Sequence, residues 1–391
     1  YIKGPDYKNN KLDTTKKILL EKKYTKLYKG KIIYTKDEKF SSSEIINNSV
    51  LLNYNLEQKN FIDKIKKKYG YNFIKKEIDK FKKLKALVIG ELIFDQYCFG
   101  TIIGKSGKEP HLVFKENTQD IYVGGVGVIA RHISSFVKNI NIISQFGNEK
   151  FLKKLLTKTF SKNIKQNFIV SKEKYNSIIK KRYIDQVSKY KMFGSYILPS
   201  KSPKNFHLEL ISKIKSKINS SDIIIISDYG HNFLDKFSAA YLSKINKFKA
   251  LNTQLNSSNS NSHSLQNYKN IDLVVINETE LRLELKFLAF QKIKKSKIKN
   301  LIITQGKNGV TLFRKNHLPV YCPAFVEKSV DKVGAGDAML SLCALGIRHN
   351  LDPEIILFLG SIASAINVNN VGNKISVDYQ QLEKILKFSL A

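Results

Sequence analysis

Four short apolar runs, each ending in glycine or a polar cluster, constrain this chain more than any other feature. They are Ala86–Ile89 before Gly90, Ile223–Ile226 before Ser227-Asp-Tyr-Gly230, Leu273–Ile276 before Asn277-Glu-Thr-Glu280, and Leu301–Thr304 before Gln305-Gly-Lys-Asn-Gly309. Runs this short and this apolar read as strands buried on both faces. An open α/β sheet binds ligands outside the C-terminal ends of its strands, which is where these polar residues collect. At 391 residues the chain holds one large α/β domain and an appendage, and an apolar content of 42% fills a core of that size.

The segment Asp331-Lys-Val-Gly334-Ala-Gly-Asp337 suggests the chemistry. Two glycines let the backbone turn sharply and bring N–H groups close to a ligand. The apolar residues from Ala338 to Ile347 predict a helix, so those N–H groups stand at a positive helix N-terminus, a ready anion site. Asp337 at the same place offers a carboxylate to take a proton. Charge stabilisation beside a base is what phosphoryl transfer to an alcohol requires. The plainer alternative is a glycine-rich turn with an ordinary helix-start acid.

The segment resembles the C-terminal signature D-T-x-G-A-G-D of the PfkB (ribokinase-like) carbohydrate kinases, with Lys332 where the pattern has Thr. The resemblance implies that Asp337 is the catalytic base and that the amides of Gly334, Ala335 and Gly336 hold the transferring phosphoryl group. Other strings agree in order. Asp95, in Gly90-Glu-Leu-Ile-Phe-Asp95, matches the family's substrate-binding acid. Gly124-Gly125-Val-Gly127 is similar to its N-terminal Gly-Gly signature before a helix, with Val128 where Asn is common. Asn277-x-x-Glu280 resembles the N-x-x-E motif, whose Glu orders Mg²⁺ through water. Read from the residues alone, Glu280 is more readily a solvated helix-start acid. Thr304, Gly306 and Gly309 resemble the strand-loop-strand that binds ATP. The implied fold is a three-layer α/β/α sandwich with a small β lid. The implied activity is ATP- and Mg²⁺-dependent phosphorylation of a sugar or sugar-phosphate hydroxyl.

Further strings, Gly104-Lys-Ser-Gly-Lys-Glu-Pro110, Asn252–Ser257 and Glu280-Leu-Arg282-Leu, are similar to bacterial heptose-phosphate kinases, in which the kinase is joined to a nucleotidyltransferase. Gly104-Lys-Ser is not a Walker A motif, because Phe99 stands where the first glycine is required. Lys105 and Lys108, lying where the family carries its lid, and Lys180 and Arg182 are candidate contacts for a phosphorylated sugar. Solvated surface positions are the other reading of all four.

Lys3-Gly-Pro-Asp-Tyr7 and Phe40-Ser-Ser-Ser-Glu-Ile-Ile46 resemble the last third of a cytidylyltransferase-type nucleotidyltransferase. That family's H-x-G-H motif is absent, so nucleotidyl transfer by this chain alone is not expected. The expected divisions are residues 1–48, the tail of such a domain; 49–83, a helical linker with a break at Gly70-Tyr-Asn72; and 84–391, the kinase domain. The polar Asn256–His263 stretch reads as a surface loop.

A formal charge of +34 invites a nucleic-acid reading. Yet only five of the 67 basic residues are arginine, and the lysines are spread along the whole length. No zinc spacing or recognition-helix motif accompanies them, so weak nonspecific adhesion is expected rather than specific binding. Three isolated cysteines fit a reducing cytoplasm, and no apolar stretch is long enough to span a bilayer. A homodimer is compatible with the family. A catalytically weak kinase fold acting as an interaction module is the main alternative, since Val128, His231, Asn232 and Ser361 depart from commoner family residues.

Overall fold

The computed structural model describes residues 2–3, 18–28, 30–34, 54–147, 149–170, 176–199, 206–254, 265–287, 297–326 and 329–390. The chain forms two compact units, Tyr1–Asn53 and Tyr54–Ala391. In the first, helix Ile18–Leu27 lies in sequence between two short strands, Ile2–Lys3 and Ile33–Tyr34, which pair in parallel. Of the two nucleotidyltransferase-like strings only Lys3 is among the described residues, and the Asn256–His263 stretch also lies outside them.

The second unit opens with helices α1 (Leu56–Lys68) and α2 (Gly70–Asp79). The break falls at Gly70, whose positive φ turns the chain between them. A nine-stranded sheet follows. Its strands are β1 (Lys85–Gly90), β4 (Asn139–Ile143), β5 (Ile164–Gln166), β8 (Ile223–Asp228), β9 (Lys249–Thr253), β10 (Leu273–Asn277), β11 (Asn300–Thr304), β12 (Val310–Arg314) and β13 (Val320–Cys322). Their spatial order is β13-β12-β11-β10-β9-β8-β1-β4-β5, and β12 alone runs against the others, pairing antiparallel with both β11 and β13. All four apolar runs are strands of this sheet. β1 sits between β8 and β4, so the chain reverses its direction of travel across the sheet there, and the crevice opens at the end of β1.

Alternation along the strands divides the side chains between two helical layers. Leu87, Ile89, Ile224, Ile226, Val274 and Ile276 share one core with α5 (Phe206–Ile218) and α6 (Lys236–Lys244). The opposite face packs against α3 (Val126–Ser134) and α8 (Ala335–Arg348). Each fully buried isoleucine contributes about 1.5–3 kcal/mol, which is why strands such as Ile223–Ile226 carry no polar residue until their ends. Helix α8 and its neighbour α9 (Pro353–Val368) are buried almost all round, as their nearly unbroken apolar sequences require. Helix α4 (Lys150–Thr159) precedes β5, α7 (Glu278–Phe287) follows β10, and α10 (Tyr379–Leu390) ends the unit.

The lid is a separate four-stranded sheet of order β7-β6-β2-β3, built from β2 (Leu92–Lys105), β3 (Leu112–Gly125), β6 (Ile178–Asp185) and β7 (Lys191–Ile197). Glu91 alone separates β1 from β2, so the lid springs directly from the crevice. The first seven residues of β2 are buried, and its last four are exposed. Among the described residues no helix is long and apolar enough to cross a membrane.

Candidate active site

The predicted helix after the glycines starts three residues early, at Ala335, because Gly334 caps it in the left-handed region at φ 83°. A Cβ at Gly334 would strike the Asn373 carboxamide, so both its conformation and its surroundings select glycine. Asn367 Nδ2 donates to the Val333 carbonyl at 2.7 Å, and Ser364 Oγ to that of Ala335 at 2.9 Å, fixing the turn from behind. The first-turn amides of α8 have no partner within the helix itself. Gly336 faces open space. Ala335 and Gly336 border a cavity of about 560 Å³ whose wall also includes Thr304, Gly306 and Gly309. The cavity is apolar at Ala324, Phe325, Val326, Ala365 and Val368, and Lys332 adds a cation beside the helix N-terminus. Ser361, on α9, lines it too.

Asp337, in the first turn of α8, is 4% exposed. Tyr229 donates its hydroxyl to Oδ1 at 2.7 Å. Burial pushes the carboxyl up to about 7; the Tyr229 bond opposes this, the charge of Asp95 adds to it, Lys180 opposes it and Glu280 adds to it. An acid near neutrality is matched to proton transfer at physiological pH. Tyr229 lies just past the end of β8, where Glu91 accepts its backbone N–H at 3.0 Å and that of His231 at 3.1 Å. Burial, with Asp228 nearby, also drives the Glu91 carboxyl upward.

On the lid side, Asp95 is 3% exposed and held at both oxygens. Arg182 Nη1 donates to Oδ1 at 2.6 Å and Asn373 Nδ2 to Oδ2 at 3.0 Å. The close approach of Gly124 to Asp95 leaves no room for a Cβ at 124, while Gly125 makes the turn into α3 at φ 58°. Lys180, beside Asp95 in the register of β6 and β2, is 7% exposed. Its ammonium lies 5.4 Å from the Tyr196 ring centre and 6.0 Å from that of Tyr229. No carboxylate among the described residues pairs with it directly. Burial lowers its pKa, although Asp95, Glu91 and Asp337 act against that.

Asp331 ties the lid to the glycine turn. Its Oδ2 accepts from Tyr97 of β2 at 2.7 Å and from the Gly372 amide at 3.0 Å; its Oδ1 accepts from Lys191 of β7 at 2.6 Å and from the Val333 amide at 3.1 Å. Burial alone would raise this carboxyl, yet Lys191 and Tyr97 hold it below its ordinary value.

The structure thus gathers Asp337, Asp95, Gly124, Gly125, Lys180 and Arg182 near the Gly334–Gly336 turn, and places Thr304, Gly306 and Gly309 on the cavity that Ala335 and Gly336 border. Asn277 and Glu280 stand at the start of α7 as a reciprocal pair. Asn277 Oδ1 accepts the Glu280 N–H at 2.8 Å, and Glu280 Oε2 accepts the Asn277 N–H at 3.1 Å. This is a capping box. Glu280 is nonetheless close enough for its charge to raise the pKa of Asp337.

Lys105 and Lys108 do not join the site. They are exposed at the tip of the β2–β3 hairpin, ten residues along β2 from Asp95 in the case of Lys105, or roughly 33 Å at the rise of an extended strand. Of the four cations expected to contact a phosphorylated sugar, Lys180 and Arg182 thus stand beside Asp95 and Lys105 and Lys108 stand apart from it, because the lid strands are long. Tyr229, Asn373 and Lys191 are contributors that the motifs did not single out, and Asp331, which opens the glycine motif, carried no assigned role. Tyr229 follows an apolar strand and was within reach of that signal; Asn373 and Lys191 arrive from distant segments with none.

Comparison with known proteins places the fold. The profile of the pfkB family carbohydrate kinases matches residues 83–379. The bifunctional protein HldE of Actinobacillus pleuropneumoniae serotype 5b is 24% identical over 309 residues, covering 75% of this chain and 62% of that protein. The chain therefore spans less than two thirds of that relative's length. Ribokinase from Thermotoga maritima superposes with a TM-score of 0.60 at 19% identity, over 78% of this chain and 99% of that one. Arabidopsis thaliana ribokinase, solved with ribose and ATP, gives 0.58 at 15% identity over 78% and 99%.

Proposed function

The chain belongs to the pfkB family of carbohydrate kinases, and we propose that it transfers the γ-phosphoryl group of ATP to a hydroxyl of a sugar phosphate. One observation carries this reading. The buried carboxyl of Asp337, poised near neutrality, stands at a helix N-terminus between a nucleotide-sized cavity and a crevice lined with cations.

Each residue then has a task. Asp337 takes the proton of the acceptor hydroxyl, with Tyr229 orienting the carboxylate. Asp95, fixed by Arg182 and Asn373, keeps its remaining lone pairs for the hydroxyls of the sugar. The amides of Gly334, Ala335 and Gly336, at the positive end of α8, are the groups that stabilise the charge of the transferring group. Thr304, Gly306 and Gly309 shape the wall for the nucleotide, whose base fits the apolar end of the cavity and whose phosphates fit the end at Gly336 and Lys332. Lys180 and Arg182 favour an acceptor that already carries a phosphate, because a buried ammonium without a carboxylate partner is stabilised by an anionic ligand.

Magnesium fits the residues present. The described residues hold no cluster of three ligating side chains, but Mg²⁺ keeps most of its waters and needs few direct carboxylates. Glu280, at the start of α7 and close enough to act on Asp337 by its charge, is the carboxylate that would hold such waters. When bound, the ion neutralises the phosphate oxygens. Buried thiols at Cys98, Cys322 and Cys343 agree with a reducing compartment such as the cytoplasm.

The test is a screen of free sugars and their phosphates for ADP release. We expect turnover with a sugar phosphate and little with the matching free sugar. Equal use of both would overturn the assigned substrate class, and ADP release with no acceptor would overturn the reading as a sugar kinase.

A further inference from the structure

Helix α1 lies ahead of residue 83, where the family match begins, yet it packs against the outer side of the wall of the cavity assigned above to ATP. The contact begins with one side chain. Gln58 is 4% exposed, and its Nε2 donates to the Ala324 carbonyl at 2.6 Å. Its Oε1 accepts the Asn55 N–H at 2.8 Å, while Asn55 Oδ1 accepts the Gln58 N–H at 2.9 Å. Both ends of the buried carboxamide are therefore used, one to cap α1 and the other to hold residue 324.

Ala324, Phe325 and Val326 form the apolar end of the cavity. They follow β13 and belong to no helix or strand, so no backbone ladder sets their position. Their place is set by what they pack on, and much of that is α1 and its lead-in. The Phe325 ring meets Tyr54 edge-on at 5.8 Å, Phe61 at 6.4 Å and Phe358 of α9 at 5.3 Å, and Phe61 meets Phe358 at 6.1 Å. Further along α1, Lys64 pairs with Glu354, and Lys68 reaches Glu354 at 3.2 Å and Asp352 at 3.4 Å. These acids stand at the start of α9, the helix that supplies Ser361, Ser364, Ala365 and Val368 to the same cavity.

We propose that α1 is a positioning element for nucleotide binding, with Gln58 and Phe61 holding the Ala324–Val326 wall in the shape that receives the base of ATP. The inference rests on the assignment of this cavity to ATP. Gln58 and Phe61 are positioning residues, since neither lines the cavity. It follows that the segment preceding the family domain tunes the enzyme's nucleotide affinity, and that strain applied to α1 reaches the base.

Gln58→Glu tests this cleanly. Glutamate keeps the acceptor that caps α1, as glutamate does in an ordinary capping box, but replaces the donor to Ala324 with a second acceptor. Mg·ATP is titrated calorimetrically into the full chain, well below the melting temperature of each variant, so that only folded protein is measured. We expect the Kd to rise by about five- to tenfold, within the usual span of coupling between neighbouring elements. Phe61→Leu should raise it in the same direction, and serves if Gln58→Glu does not fold. Exposed Lys59→Ala, on the same helix, should leave it unchanged. A purely structural role would lower the melting temperature without moving the Kd of the folded protein, and that result overturns the proposal. A wild-type chain that fails to bind Mg·ATP overturns the cavity assignment and this inference together. Normal wild-type binding with an unchanged Kd in both variants overturns the inference alone.

Discussion

Two helices of this protein begin with an acid at the third helical position, and the two acids have different environments. In α7 the cap is Asn277 and the third residue Glu280; in α8 the cap is Gly334 and the third residue Asp337. Glu280 is long enough to fold back on the Asn277 N–H, and it shares a capping box with the asparagine side chain. Asp337 is one methylene shorter and faces a cap with no side chain. Its carboxyl turns instead toward Tyr229 and the crevice, where burial lifts its pKa to about 7. A helix-start acid is lifted toward neutrality when the cap gives it nothing to bond and the core denies it water.

The largest expected effect comes from Asp337→Asn. Turnover should fall by ~10²–10⁴-fold, the usual contribution of a positioned general base, with ATP binding nearly intact. Wild-type kcat/KM should rise with pH through an apparent pKa near 7. A variant as active as the parent would return Asp337 to the class of Glu280. Stability supplies an independent measurement. Because the folded-state pKa is raised from 3.8 to about 7, this group's stabilising contribution is complete below the lower value and lost as pH rises through the upper one. Asparagine carries no such charge, so the melting temperature of the variant relative to wild type should improve from about pH 4 to about pH 7 and level off above that. A difference that stays flat with pH would mean that Asp337 ionises freely in the folded protein.

A smaller effect is expected at the cations, which repeat the contrast between buried and exposed. Lys180→Met removes a buried ammonium beside Asp95, and Lys105→Met an exposed one at the hairpin tip. A charge-assisted contact to a substrate phosphate is worth about 1.5–3 kcal/mol, so KM for a sugar phosphate should rise more than tenfold in the first variant. The second should match wild type. Equal effects from both lysines would show that the tip reaches the substrate after all.

The difference between these lysines also marks how far the sequence could be read. Strands β1, β8, β10 and β11 were legible because runs such as Ile223–Ile226 leave no other way to bury themselves. The turn that carries Asp337 was legible because Gly334 and Gly336, set ahead of an apolar run, mark a sharp entry into a buried helix. Lys105 and Lys180 carried no such mark: lysine is common throughout the chain, and what separates them is ten residues of strand direction. The partners Asn373, for Asp95, and Lys191, for Asp331, come from segments 278 and 140 residues away. Long-range pairs of this kind leave no local pattern to read.

The smallest effect is expected at Glu280, where charge and cap can be separated. Glutamine at the third position closes a capping box as well as glutamate does, so Glu280→Gln should fold with little loss of stability. Asn277→Ala removes the other half of the box and should cost about 1 kcal/mol in unfolding free energy. If Glu280 is only a capping residue, the glutamine variant will show the wild-type dependence on magnesium. If its negative charge also orders the hydrated ion, the magnesium concentration for half-maximal activity will rise several-fold, while maximal turnover at saturating magnesium stays near that of wild type. The second result is the one we expect, because Glu280 acts electrostatically on Asp337 even while bonded to the Asn277 amide. An unmoved magnesium curve, with the predicted loss of stability still seen in Asn277→Ala, would confine Glu280 to the cap and leave the ion to be held by other groups.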